Sequence, residues 1–93
     1  MTREIISAAL EGEGLKAAGQ AFTIAEDREA TFLVSTPGDV LSVSKVVLAD
    51  LKEKYLYLQT SKDEHFFFAY EDVLGMRLLG KSAARHGSAG FGR

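Results

Sequence analysis

From Ala21 onward the sequence breaks into short runs of β-branched and aromatic residues, punctuated every eight to twelve positions by turn residues. The runs are Phe22 to Ala25, Ala30 to Thr36, Val40 to Ala49, Tyr55 to Thr60, His65 to Glu71 and Val73 to Leu79. Regular short strands with that spacing predict a small sandwich or barrel. The punctuation agrees, since "TPGD" sets Pro37 and Gly38 where a type II turn wants them, and "EDRE", "DLKEK" and "SKDE" are charged loops.

The run from Val40 to Ala49 is the most informative because its alternation fails. Ser42 and Ser44 fall on one side with Val46 and Leu48, whereas Leu41, Val43 and Val47 fall on the other with Lys45. A strand that starts half exposed and ends covered on both sides is one that bends across a barrel, often through a bulge. "YLYL" and "HFFFAY" repeat the two-sided character. With one aromatic set taken up inside, either Phe66, Phe68 and Tyr70 or else Phe67 need a second cover, from a helix or from a neighbouring molecule.

Ahead of the strands, Thr2 to Leu10 predicts a short amphipathic helix with Ile5, Ile6, Ala9 and Leu10 on one stripe, Thr2 as cap and Glu4 in the first turn. Gly12 and Gly14 end it, and "LKAAGQ" connects it to the strands. The expected fold is therefore mainly β, a short N-terminal helix followed by a small five- to six-stranded, strongly bent antiparallel barrel and a flexible C-terminal tail. The segments are helix and connector 1–20, barrel 21–80 and Gly-rich basic tail 81–93.

A 93-residue chain without cysteine or tryptophan has no disulfide and no thiolate metal site to stabilise its one small core, which makes packing against another copy an expectation. No apolar run approaches the ~20 residues of a bilayer span, and the acidic start does not read as a signal peptide, so a cytoplasmic protein without membrane contact is expected. Charge is distributed unevenly. Up to Asp72 there are seven cations against 13 acids, a balance of −6, while Arg77, Lys81, Arg85 and Arg93 make the remainder +4. A spaced basic tail with Phe91 can contact phosphates and stack on bases.

Signals for catalysis are absent. There is no G-x-S-x-G elbow, P-loop or H-E-x-x-H, and the glycines of "GEGLKAAG" have the wrong spacing and no preceding strand for a dinucleotide site. His65 and Glu71 lie about 20 Å apart along one strand, beyond sharing a metal, and the other histidine, His86, falls in the tail. The expectation is a non-catalytic binding or assembly module with no cofactor and no metal.

The segment "FLVSTPGDVLSVSKVVLADLKEKYLYLQTSKDEHFFFAYEDVLGMRLL" resembles the barrel of Sm-like proteins, in particular the bacterial Hfq branch. The resemblance implies that "HFFFAYE" and "VLGMRLL" are the strands that join subunits into a ring, and that single-stranded RNA is the ligand. Tyr70 stands where Hfq proteins have the tyrosine of a Tyr-Lys-His motif, but Glu71 and Asp72 stand where lysine and histidine would face RNA. Candidate nucleic-acid or ligand residues are Tyr70, Arg77, Lys81, Arg85, His86 and Arg93. Candidate subunit or partner contacts are Phe66, Phe68, Tyr70, Val73 and Met76. The alternative is a protein-interaction or adaptor module that uses the acidic body and the aromatic strand, without nucleic acid.

Overall fold

The computed structural model describes residues 1–80; the expected tail, with Lys81, Arg85, His86 and Arg93, lies outside the described residues. Among the described residues one helix, α1 (Arg3–Gly12), precedes seven strands: β1 (Ala17–Ala18), β2 (Ala21–Thr23), β3 (Arg28–Thr36), β4 (Asp39–Leu51), β5 (Leu56–Thr60), β6 (His65–Phe68) and β7 (Val73–Gly80). A single 3-10 turn, Tyr70–Asp72, separates the last two.

The mainly β, strongly bent antiparallel architecture is as the sequence predicts, with differences in detail. The connector contains a two-residue strand, β1, so the count is seven rather than five or six. The aromatic run stops at Phe68 instead of Glu71, because Tyr70 to Asp72 close a 3-10 turn in which Asp72 N donates to Ala69 O (3.0 Å). On α1 the buried pair is Ile6 and Leu10, one turn apart, whereas Ile5 is rotated outward and 53% exposed. Thr2 caps the helix as expected, its hydroxyl accepting from Ile5 N at 3.1 Å.

β4 organises the sheet. Along one side it pairs with β3 through its first half and with β2 through its second, and β5 lies along the other side of that second half. The sheet continues from β3 to β7 and from β5 to β6. Two irregularities in β4 explain its broken alternation. Ala30 opposes Val46 but Phe32 opposes Val43, and Val46 opposes Thr60 but Leu48 opposes Gln59. Each inserts one residue and reverses the parity, so Val43, Val46, Ala49 and Leu51 all remain buried on the same concave face. The first bulge is made by Lys45 in a left-handed conformation (φ 56°). The bends, more than two-sided cover, generate the pattern read as covered on both sides.

The sheet thereby curls into a half-barrel whose inner face is filled by Phe22, Phe32, Leu56 and Leu58, each no more than 1% exposed. α1 contributes Ile6 and Leu10 to that core. Each such side chain removed from water stabilises the fold by about 1.5–3 kcal/mol. Arg3 ties the helix to the end of β4, its Nε donating to Leu51 O at 3.0 Å. At the other end of the helix Arg28 reaches Glu13 Oε1 at 2.6 Å.

Candidate interface

Pairing within the β5 and β6 hairpin decides which aromatics face inward. The register sets Leu56 against Phe68, Tyr57 against Phe67, Leu58 against Phe66 and Gln59 against His65. Because Leu56 and Leu58 are fully buried, Phe66 and Phe68 must share their side of the sheet. They do, half-buried against the core with their rings stacked at 5.7 Å and 13°. Phe67 is thrown to the convex face and is 64% exposed.

On that face the rings of Tyr55 and Tyr57 lie 5.9 and 5.2 Å from the Phe67 ring, both tilted against it. His65 joins the row at 5.7 Å from Tyr57. Its Nε2 lies 3.1 Å from Asp63 Oδ1, and since a carboxylate only accepts, that nitrogen carries the hydrogen. Nδ1 is in contact with the Tyr57 hydroxyl. Asp63, left-handed at φ 62°, also accepts from Gln59 Nε2 at 3.3 Å. Thr60 completes the turn, its hydroxyl donating to Glu64 Oε1 at 3.0 Å and accepting from Glu64 N at 3.2 Å. The hairpin presents an aromatic ridge among carboxylates.

The expected site residues fall in different places. Tyr70 is half-buried and its hydroxyl donates to Lys52 O at 2.5 Å. Burial raises its phenol above the ordinary value of 10.0, with the charge and hydrogen bonding of Arg3 opposing part of that shift. Arg77 is exposed on β7. Val73 is 2% exposed and belongs to the chain's own core, so it has no side-chain surface to offer a partner. Met76 is half-buried against that core, as are Phe66 and Phe68. The sequence reading leaves Phe67 as one of two alternatives for the face in need of cover and does not single out Tyr55 and Tyr57. Tyr57 and Leu58 alternate in the sequence, and pairing that alternation with "HFFF" would have found them.

Among the described residues β6 pairs with β5 and β7 pairs with β3, and each has its other edge without a strand partner there. Leu74 and Leu79 on β7 are 55% and 45% exposed. A shallow groove of roughly 310 Å³ lies elsewhere, between α1 and the β1 and β2 hairpin, with Arg3, Glu4, Glu11 and Gln20 among its walls. Among the described residues no group of three or more histidine, aspartate or glutamate side chains is placed to hold a metal. None of the described helices is long and apolar enough to cross a membrane. Set against protein-family models, curated proteins and solved structures, the chain matches none.

Proposed function

We propose that the chain is a non-catalytic assembly module that associates with further copies of itself through the edges of β6 and β7, as its likeness to Sm-like barrels suggests. The observation that carries this reading is the pair of open edges. Among the described residues β6 and β7 each have backbone groups along one side without a strand partner. One edge carries Phe66, Phe67 and Phe68, the other Leu74, Met76 and Leu79. Unpaired strands with apolar flanks pair with one another when they meet. Of the other free stretches, β1 is two residues long, and the open half of β4 exposes Val40 and Leu41 among Asp39, Ser42 and Ser44.

Single-stranded RNA is the second ligand class raised by the sequence, and the described residues favour protein over it. Residues 1–80 hold eight cations against 13 acids, a balance of −5 that repels phosphate. Of the described nucleic-acid candidates, Arg77 is exposed but Tyr70 already donates to Lys52 O.

Light-scattering mass on a sizing column, at low and high salt with absorbance at 260 and 280 nm, tests the proposal. A defined oligomer with a protein spectrum is the expected result. A monomer at all concentrations would overturn it. An oligomer that carries nucleic acid at low salt and sheds it at high salt would restore the RNA-binding reading in addition to assembly.

A further inference from the structure

We infer that the convex face of the β5 and β6 hairpin is a docking surface for an arginine-bearing segment of another protein, one that lies extended along the hairpin and carries two arginines separated by one residue. This goes beyond the assembly reading and does not depend on it, since it uses a face of the sheet and not the strand edges.

Phe67 is 64% exposed, more than any other large apolar side chain among the described residues. Its ring is flanked by those of Tyr55 and Tyr57, tilted against it by 53° and 44°. An aromatic face attracts a cation, and a guanidinium suits an open face best because it is planar and less strongly hydrated than an ammonium.

Charge around the rings has the complementary sign. From Asp50 to Asp72 there are six acids against three lysines. One of those lysines, Lys52, is already paired with Asp50, Nζ to Oδ2 at 3.2 Å. Asp50 stands opposite Tyr57 on β4, and its Oδ1 is buried without a hydrogen-bond partner among the described residues. A cation is drawn to rings set among carboxylates, whereas the same acids repel a nucleic-acid strand, the other ligand that stacks on such rings.

The pairing register sets the spacing of the arginines. Tyr57 opposes Phe67, and Gln59 opposes His65 one two-residue step further along the same face. Asp63 is held at that second pair. Its Oδ1 accepts from Gln59 Nε2 at 3.3 Å and lies 3.1 Å from His65 Nε2, while the side chain is 81% exposed. In an extended segment, side chains two residues apart share one side and stand about 6.5–7 Å from each other, the length of that same step. An arginine laid on Phe67 therefore brings the arginine two residues away to the Asp63 carboxylate. Adjacent arginines would point to opposite sides.

A short peptide with one serine between two arginines, titrated into the isotopically labelled native chain and followed by NMR, tests this. The resonances of Tyr55, Tyr57, His65 and Phe67 are expected to move, and the arginine Cδ protons to shift upfield as they come over a ring. The peptide with citrulline in place of arginine should not bind, and one with adjacent arginines should bind more weakly at equal charge. Phe67→Leu, which alters no charge, is expected to raise the dissociation constant about two- to fivefold. Tyr55→Leu, ahead of β5 and off the edge of β6, and Asp63→Asn should act in the same direction. Glu26→Gln, an equal loss of charge in the loop between β2 and β3, should not. Native affinity in Phe67→Leu, or equal weakening by Glu26→Gln and Asp63→Asn, would reduce the contact to net charge and overturn the inference. Ring resonances that ignore the peptide but move with Arg85→Gln and Arg93→Gln would give the ridge to the chain's own residues beyond Gly80 and overturn the partner protein. The native mass by light scattering reports on assembly separately: a monomer that binds the peptide overturns assembly alone, and an oligomer that ignores it overturns docking alone.

Discussion

Lys45 is where the fold can be probed with one atom group. Its backbone is left-handed (φ 56°), which costs a residue with a Cβ about 1–2 kcal/mol, and the residue is exposed. Lys45→Gly removes that strain. Against it stands the greater freedom of glycine in the unfolded chain, roughly 0.4–1 kcal/mol. With no buried contact of the side chain to lose, the balance is a stabilisation of about 0.5–1 kcal/mol. For a domain of this size that corresponds to a rise in the midpoint of thermal unfolding of about 2–8 °C. Asp63 is the internal comparator. It has nearly the same conformation (φ 62°), but aspartate tolerates that region better and its carboxylate accepts from Gln59 and His65. Asp63→Gly is therefore expected to be neutral or destabilising. Lys45→Val, which puts a branched Cβ into the same backbone, is expected to lose about 1–2 kcal/mol. Calorimetry or urea unfolding of the three variants, at a concentration where the oligomeric state is constant, measures all of this. A Lys45→Gly variant less stable than the native chain, with Lys45→Val unaffected, would refute the claim that this bulge bends β4.

Two further outcomes follow from burial. Leu58, fully buried at the centre of the concave face, is expected to cost about 2–5 kcal/mol when replaced by alanine, read as a lowered urea midpoint at unchanged slope. Tyr70 has its pKa raised in the folded chain, so the unfolded chain loses its phenolic proton first as pH rises. That contribution to stability is fully present below pH 10 and declines as the pH climbs through and beyond it, a fall that Tyr70→Phe should lessen in unfolding curves taken from pH 8 to 11.

The strands, the helix and the bent long strand could be read from residue pattern because those signals are local. "VLSVSKVVLA" announced an irregularity, yet which residue formed it depended on register against β3 and β5, and the parity shifts on either side of Val46 are not local. The helix stripe failed at Ile5 for a similar reason: Ile5 and Ile6 are adjacent, and the direction of the core selects between them. The aromatic strand shows the limit best. In "HFFFAY" every second residue is apolar on both faces, and only pairing with Leu56 and Leu58 identifies Phe67 as the outward one. Val73 looked as available as Met76, but it is the first residue of β7, where the chain re-enters the core after the 3-10 turn.

The two open edges lead to a last prediction. Strand edges in monomeric proteins are commonly protected by lysine, proline, a bulge or a covering loop. β6 has neither lysine nor proline and carries three consecutive phenylalanines, the kind of segment that pairs without selectivity when left bare. A chain that kept this edge unoccupied would be prone to open-ended aggregation, whereas a defined partner strand consumes it. Phe67→Lys distinguishes the two situations. The position is convex and 64% exposed, so the folded chain should lose little stability, about 1 kcal/mol or less from the tilted contacts with Tyr55 and Tyr57. If the edge serves assembly, the new lysine sets a charge into the contact between copies and the variant becomes a well-folded monomer by light scattering. If the edge is merely bare, the variant keeps the native mass and differs in a slower rise of turbidity on concentration. Retention of the oligomer with unaltered affinity would place the contact between copies elsewhere on the molecule.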